Sequence, residues 1–316
     1  MNNARKISLI VLLAGAFVLA ACSAPAAPAE EAAAEEASAE EAMEEDATDE
    51  ETTEEIMEVN YVDGIPQYGC LGTAEDALVD LECREVTFAV ENAYLPFNYI
   101  EIETNQAAGW DYEVFPMICE MLHCTPVFVE TVWETMIQQV QEGQFDMAGD
   151  GITIKPERDE NGDFSIGYVN TVMRLLVNQG EDRFASIEEF AADPDLIMGT
   201  QINTTNYDTA VEFLPEERVQ AFDTFPFANQ ALIAGDVDAV IMDEVVGLGY
   251  QGENADILEL IGPPITSDEL GFYFPEGSEL VDPVNQALQV LMDNGTLNEI
   301  NEKYFVNFDL TYDDVQ

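Results

Sequence analysis

The chain has very few basic residues and almost no histidine. Nine Lys and Arg stand against 65 Asp and Glu among 316 residues, which gives a formal net charge of −56 at pH 7, and there is one histidine. This charge excludes nucleic acid as a partner, because phosphates repel such a surface. The one histidine, His123, adjoins Cys124, for which we predict a disulfide, and this leaves no basis for a Ser-His or Cys-His nucleophilic pair. Since His123 has no clustered set of further ligands in the sequence, we expect neither a metal nor a cofactor.

Long hydrophobic runs are also scarce. One apolar run follows Arg5 and Lys6, covers residues 7–19 and closes on Leu19-Ala20-Ala21-Cys22. It is shorter than the ~20 residues of a membrane-spanning helix, and it has the pattern of an export signal. The tetrad resembles the lipobox of bacterial lipoproteins, which implies cleavage before Cys22 and acylation of that residue. We therefore expect residues 1–22 to be a lipoprotein signal peptide ending at the lipidated cysteine.

Between Cys22 and Ile56, large apolar residues are almost absent. Residues 23–60 are rich in Ala, Glu and Pro, and we expect a disordered acidic tether with no apolar face for docking. The next segment, residues 61–83, contains a cysteine pair and has no role that the sequence reveals. Beyond Cys22 there are four cysteines in two close pairs, Cys70 with Cys83 and Cys119 with Cys124. They predict two local disulfides in an oxidising compartment.

Strands and helices alternate through the rest of the chain. Residues 86–90 and 127–129 have the pattern of buried strands, and a third strand begins at 146; residues 114–122 and 133–141 have helical spacing. This alternation predicts an α/β fold with a mostly parallel sheet. Ligands of such sheets bind at the carboxyl ends of the strands.

Six segments at these positions, taken in order, resemble one protein family. They are Tyr94-Leu95-Pro96-Phe97, Gly109-Trp110-Asp111-Tyr112-Glu113, residues 153–158 followed by 164–168, Gln201-Ile202-Asn203-Thr204-Thr205, residues 235–243, and Asn294-Gly295-Thr296 with Glu302-Lys303-Tyr304-Phe305. Over about residues 84–308 the chain resembles the family 3 extracellular solute-binding proteins, the amino-acid-binding components of ABC importers.

The resemblance implies a type II periplasmic-binding-protein fold, in which two lobes close on a ligand. Lobe 1 would comprise residues 84–175 and 270–316, and lobe 2 residues 176–269. Two chain crossings, near residues 173–177 and 270–272, would form a two-strand hinge. We expect a monomer.

The resemblance also implies a site for a zwitterion. Arg158 matches the family's clamp for the α-carboxylate, and Thr205 a second donor to it from the opposite lobe. Asp243 matches the carboxylate that receives the α-ammonium. The remaining matches are Thr153 and Gly151 as polar groups near the amine, Tyr94 and Trp133 as aromatic walls, and Gln201 and Thr204 in the turn of lobe 2.

Two acidic positions bear on specificity. Glu91 falls where many members place an acid that meets the distal end of the ligand, and Asp150 where a small neutral residue is usual. Together with the aromatic walls they predict a cationic ligand such as arginine, lysine or ornithine. Two alternatives remain open. Asp150 could cap a turn while Glu91 faces water, or Lys155 could pair with Asp150 and neutralise it.

The function implied is that of an exported, membrane-anchored lipoprotein facing the periplasm or cell exterior. It would capture an amino acid and deliver it to an ABC permease, without being an enzyme. One alternative is a sensor that presents its ligand to a receptor kinase. Another is a dehydratase-type enzyme on the same fold, for which Asp150 or Glu91 would have to act as general acid.

Overall fold

The computed structural model describes residues 59–252 and 256–307. The predicted signal peptide, Cys22 and almost all of the predicted tether lie outside these residues. In the described part of the chain, no helix is both long enough and apolar enough to cross a membrane.

Seventeen short strands and nine α-helices make up the described residues. The strands are β1 (Asn60–Val62), β2 (Ile65–Gln67), β3 (Glu85–Val90), β4 (Ala93–Tyr94), β5 (Asn98–Glu101), β6 (Gln106–Ala108), β7 (Thr125–Glu130), β8 (Met147–Ala148), β9 (Gly162–Phe164), β10 (Val169–Thr171), β11 (Met173–Asn178), β12 (Met198–Gln201), β13 (Val219–Phe222), β14 (Ala239–Asp243), β15 (Leu258–Ile261), β16 (Asp268–Leu270) and β17 (Tyr273–Pro275). The helices are α1 (Trp110–Leu122), α2 (Trp133–Gln141), α3 (Pro156–Asp159), α4 (Ile187–Ala192), α5 (Thr205–Phe213), α6 (Phe225–Ala234), α7 (Glu244–Gln251), α8 (Val281–Asp293) and α9 (Thr296–Phe305).

Two five-stranded sheets form the centres of the two lobes. The sheet of lobe 1 has the order β7-β3-β8-β17-β9, and that of lobe 2 the order β13-β12-β14-β11-β15. In lobe 1, β3 runs parallel to β7 and β8. In lobe 2, β12 runs parallel to β13 and β14. The predicted α/β class with two lobes is confirmed.

A separate two-stranded sheet lies where the chain crosses between lobes. It pairs β10 with β16 antiparallel, in a register that sets Val169 opposite Leu270. The first three residues of β11, which the sequence assigned to lobe 1, pair instead in the lobe 2 sheet, where Met173 lies opposite Asp243. All of β11 runs as one continuous strand that ends at Asn178.

Aromatic side chains fill the core of lobe 1. The ring of Phe88 on β3 stacks on Phe115 of α1 at 4.3 Å between centroids and meets Phe272 edge-on at 5.4 Å. In lobe 2, Phe184 and Phe190 meet in the same edge-on manner at 4.8 Å. Such pairs contribute about 0.5–1.5 kcal/mol beyond the area they bury.

Residues 61–83 dock on the carboxyl end of α1. The hairpin β1-β2 opens the segment, and backbone amides of the following stretch donate to the chain around His123: Leu78 to Met121 O at 2.9 Å and Leu81 to Leu122 O at 3.0 Å. Both predicted disulfides are confirmed, Cys70–Cys83 and Cys119–Cys124.

Candidate functional site

A cavity lies where strand ends of the two sheets face each other. Tyr94, at the end of β4, and Trp133, the first residue of α2, line it from lobe 1. Gln201, at the end of β12, and Asp243, at the end of β14, line it from lobe 2. The full lining is Tyr94, Trp133, Asp150, Gly151, Thr153, Arg158, Gln201, Thr204, Thr205, Asn206, Phe225 and Asp243.

Every residue that the sequence predicted for the site, except Glu91, belongs to this lining. Glu91 lies beside the cavity, and its carboxylate accepts from the Gln201 amide at 2.8 and 3.1 Å. Asn206 and Phe225 line the cavity although the sequence reasoning missed them. Phe225 could have been found, because it begins the helix that follows β13, and loops after strands are where such sites form.

Arg158 carries a positive charge that is buried in this cavity. Its side chain belongs to α3, the residue is 7% exposed, and the guanidinium lies over the Trp133 ring at 5.4 Å from the centroid. One Nη donates to Thr153 O at 3.1 Å. Among the described residues it forms no ion pair. Burial lowers the pKa of Arg158 to about 10, so the group stays charged at neutral pH.

Asp243 carries a buried carboxylate at the end of β14. It is 1% exposed, and the hydroxyl of Tyr94, from the other lobe, donates to its Oδ2. Its Oδ1 has no hydrogen-bond partner in the part of the chain that the structure describes. Burial raises the pKa of Asp243 to about 7. An unpaired buried acceptor costs free energy, so this oxygen is suited to a donor supplied by a ligand.

Two further buried carboxylates share one amide, and one of them, Asp150, lines the cavity. Asn98 donates from its Nδ2 to Asp111 Oδ2 at 2.8 Å and to Asp150 Oδ1 at 2.6 Å. Burial raises the pKa of Asp111 to about 8. Burial also raises the pKa of Asp150 and that of Glu91, and the negative charge of Asp150 adds to the rise at Glu91. The site therefore holds more acid than its own cation can neutralise.

The structure decides between the alternatives left open for these acids. Lys155 does not neutralise Asp150: its Nζ lies 2.9 Å from Asp208 of the other lobe. Nor does Asp150 only cap a turn, since it lines the cavity at 3% exposure. Glu91 does not simply face water, because Gln201 holds its carboxylate. The sequence left Asp150 open as a partner of Lys155, and only the folded structure shows that the partner is Asp208.

The backbone at the cavity adopts conformations that most side chains avoid. Asp150 has φ 80° and Gly151 φ 59°. A Cβ built on Gly151 would lie 2.9 Å from Cε1 of Tyr94, so glycine is required there by space as well as by φ. Asn203 has φ 60°, as its tolerance of the left-handed region allows. Such outliers concentrate at functional sites.

The lobes contact each other directly around the cavity. The hydroxyls of Thr153 and Thr205 lie 3.2 Å apart, and Trp133 Nε1 donates to Asn203 O at 3.2 Å. The Gln201–Glu91 and Tyr94–Asp243 bonds described above also join one lobe to the other. Each lobe thus supplies polar groups to one shared cavity.

Comparison with known families agrees with this geometry. Residues 86–307 match the model of the bacterial extracellular solute-binding proteins, family 3. The chain belongs to this family. Among family 3 relatives, the L-arginine-binding protein of Pseudomonas aeruginosa is 28% identical over 252 residues, which cover 72% of this chain and 90% of the relative. The L-cystine-binding protein TcyA of Bacillus subtilis is 29% identical over 225 residues, 70% of this chain and 81% of the relative.

A solved structure shows the same fold for this family 3 protein. The crystal structure of the ancestral amino acid-binding protein AncCDT-1, a precursor of cyclohexadienyl dehydratase, superposes with a TM-score of 0.65 at 30% identity. The match covers 70% of this chain and 95% of that one. The predicted type II periplasmic-binding-protein fold is confirmed, and the curated relatives named above are binding proteins.

Proposed function

We propose that this protein is an exported, lipid-anchored receptor that captures an amino acid between its two lobes and delivers it to an ABC permease. One observation carries the proposal. Arg158 and Asp243 are opposite charges buried in the same cavity, and neither has an oppositely charged partner among the described residues. A zwitterion supplies both missing partners at once.

The carboxylate of the ligand would bind between Arg158 and the N-terminus of α5, which line the same cavity. A guanidinium donates two charge-assisted bonds to a carboxylate, and free amides of a helix N-terminus add to them. Thr204 caps this helix, since its hydroxyl accepts from Tyr207 N at 3.1 Å. The cap holds Thr205 and Asn206 in the first turn, where both line the cavity.

The ammonium of the ligand would bind at Asp243. Oδ1 is the open acceptor, and Tyr94 keeps Oδ2 in place from the opposite lobe. The Thr153 hydroxyl and the backbone of Gly151 lie in the same lining and can accept or position the remaining protons. A ligand held at both ends bridges the lobes, which favours the closed arrangement.

The distal part of the ligand would be cationic. Asp150 lines the cavity, Glu91 lies beside it, and the rings of Tyr94, Trp133 and Phe225 complete its apolar wall. A guanidinium or ammonium would stabilise the ionised acids and stack on the rings. We therefore infer a basic amino acid such as arginine, lysine or ornithine. The arginine-binding relative supports this class, and the cystine-binding relative supports amino acids more generally.

Calorimetric titration of the full chain tests the clamp. Arginine, lysine and ornithine should bind, and the affinities for glutamate, glutamine and cystine should be at least tenfold lower. Arg158→Gln should reduce the affinity for arginine by 10²-fold or more, since a charged bidentate contact contributes several kcal/mol. Arg183→Gln, which removes an exposed guanidinium paired with Glu181 and Asp238, is the matched control and should leave affinity unchanged. Equal affinity in Arg158→Gln would overturn the proposed orientation.

Anchoring and delivery need separate measurements in cells. Radiolabelled fatty acid should be incorporated into the chain and lost in Cys22→Ser. Deleting the gene should slow uptake of labelled arginine. If deletion leaves uptake unchanged and alters only the transcriptional response to arginine, the sensor alternative replaces delivery to a permease.

A further inference from the structure

The only histidine of the chain approaches a cysteine that is distant in sequence. Nε2 of His123 lies 3.2 Å from Sγ of Cys83, across 40 residues. Its Nδ1 lies 2.7 Å from Oδ1 of Asp80. With Cys70, the cluster brings two sulfurs and one imidazole nitrogen within 4.8 Å of one another. The amino-acid cavity contains none of these residues.

We propose that Cys70, Cys83 and His123 form a zinc site when the Cys70–Cys83 disulfide is reduced. Two thiolates and an imidazole are a donor set that zinc prefers. Asp80 would bind the second ring nitrogen of the histidine, as carboxylates commonly do behind zinc-ligating imidazoles. When Nδ1 carries the proton and donates to Asp80, the lone pair of Nε2 faces the sulfur of Cys83. A water molecule can take the fourth position.

The backbone keeps the three ligands together without the disulfide. Cys83 N donates to His123 O at 2.9 Å, and Leu71 N, next to Cys70, donates to Cys124 O at 2.9 Å. The separate bridge Cys119–Cys124 closes the turn that carries His123. After reduction of Cys70–Cys83, these backbone hydrogen bonds would still hold both cysteines beside the turn that carries His123.

The required movement is small. Tetrahedral zinc with Zn–S of about 2.3 Å and Zn–N of about 2.0 Å places its sulfurs about 3.8 Å apart and each sulfur about 3.5 Å from the nitrogen. Sγ of Cys83 already lies 3.2 Å from Nε2. After reduction the two sulfurs need only separate beyond their bonded distance, which side-chain rotation can provide.

The two disulfides differ in access to a reductant. Cys70 and Cys83 are both exposed, whereas Cys119 is 0% and Cys124 1% exposed. A dithiol reductant can transfer two electrons and two protons to the exposed bridge: its own thiols become a disulfide, and Cys70 and Cys83 become thiols. Zinc then forms two Zn–S bonds and one Zn–N bond, and the two thiol protons leave to solvent.

Cobalt titration tests the site, with Co²⁺ as the spectroscopic probe and Zn²⁺ as competitor. The full chain carries Cys22→Ser throughout, so that only the bridge cysteines contribute thiols. After mild treatment with a hydrophilic phosphine, mass spectrometry should find Cys70 and Cys83 labelled by a thiol reagent and Cys119 and Cys124 unlabelled. This form should bind one Co²⁺ with a sulfur-to-metal charge-transfer band, and Zn²⁺ should abolish the band. The oxidised chain should show no band.

Variants separate the proposed ligands from their surroundings. Cys70→Ser and Cys83→Ser should abolish the band, and His123→Asn, which tolerates the φ of 50° at this residue, should weaken binding at least tenfold. Asp80→Asn should weaken it 10- to 100-fold. Asp76→Asn, in the same segment, is the matched control and should bind as the parent does. Thermal melts and arginine binding establish that each variant folds.

Three outcomes would overturn the zinc site. They are no metal binding by the reduced chain, undiminished binding in His123→Asn, or binding that appears only after Cys119–Cys124 is also reduced.

Discussion

At the scale of residues, the site combines one buried cation with several buried acids. Asp111, Asp150, Asp243 and the adjacent Glu91 all have raised pKa values, and burial is the largest cause for each. In the folded chain without ligand these carboxyls hold protons that the unfolded chain releases near pH 4. The free energy of unfolding of that form therefore decreases as pH rises, through the pKa values of about 7 for Asp243 and about 8 for Asp111.

A cationic ligand should reverse this dependence. Arginine keeps its charge throughout this range and favours the ionised acids, so its affinity should increase as pH rises from about 5 to 8. The melting temperature without ligand should fall over the same range. Calorimetry and thermal melts at several pH values measure both trends.

Asp150→Asn should reduce the pH dependence of both the arginine affinity and the melting temperature. It should lower the affinity for arginine at least tenfold at pH 8. The affinity for glutamine should change less, because the neutral side chain of glutamine does not pair with the charge of Asp150. An arginine affinity that is unchanged in this variant would contradict the cationic-ligand proposal.

Tyr94→Phe should weaken binding by removing the hydroxyl that holds Asp243. Without it both carboxylate oxygens lack a hydrogen-bond partner among the described residues, which costs about 1–3 kcal/mol in the folded state. The melting temperature and the affinity for arginine should both decrease. Tyr207→Phe removes a hydroxyl that donates to Glu216 at 3.4 Å outside the site, and it should alter neither quantity.

At the scale of elements, the sequence predicted the existence of helices and strands better than their ends. The helix expected at residues 114–122 begins at Trp110, while that at 133–141 agrees at both ends. Apolar periodicity identifies a helix but does not locate its first residue. At α1 the N-cap residue is Gly109, which has no side chain to cap the helix, so the usual sequence signal for an N-terminus is missing. Contacts between lobes were least predictable, since Lys155–Asp208 and Glu91–Gln201 join residues far apart in the chain.

The cap of α5 offers a test at this scale. Thr204→Ala removes the hydroxyl that accepts from Tyr207 N, and it should reduce stability by about 1 kcal/mol. Because α5 presents its first turn to the cavity, affinity for arginine should decrease as well. Ser186→Ala removes the equivalent cap of α4, where Ser186 Oγ accepts from Glu189 N at 3.3 Å. It should reduce stability similarly without changing affinity, and a loss of affinity there would contradict a special role for α5.

At the scale of the whole molecule, charge dominates. A net charge of −56 repels itself in the folded state, and salt screens that repulsion. We therefore expect the melting temperature to rise with NaCl concentration, by more than for a protein near neutrality. Thermal melts between low and molar salt measure this, and a melting temperature that does not depend on salt would contradict the expectation.

The order of strands in lobe 1 determines which lobe can complete its sheet first as the chain emerges. All five strands of the lobe 2 sheet lie within residues 173–261, so that sheet can assemble as soon as this stretch of chain has emerged. In lobe 1, β17 is inserted between β8 and β9, yet it follows the whole of lobe 2 in the chain. A chain that emerges from its N-terminus therefore completes its second lobe first, and β9 must wait for residues 273–275 before it can join the sheet of the lobe that began earlier.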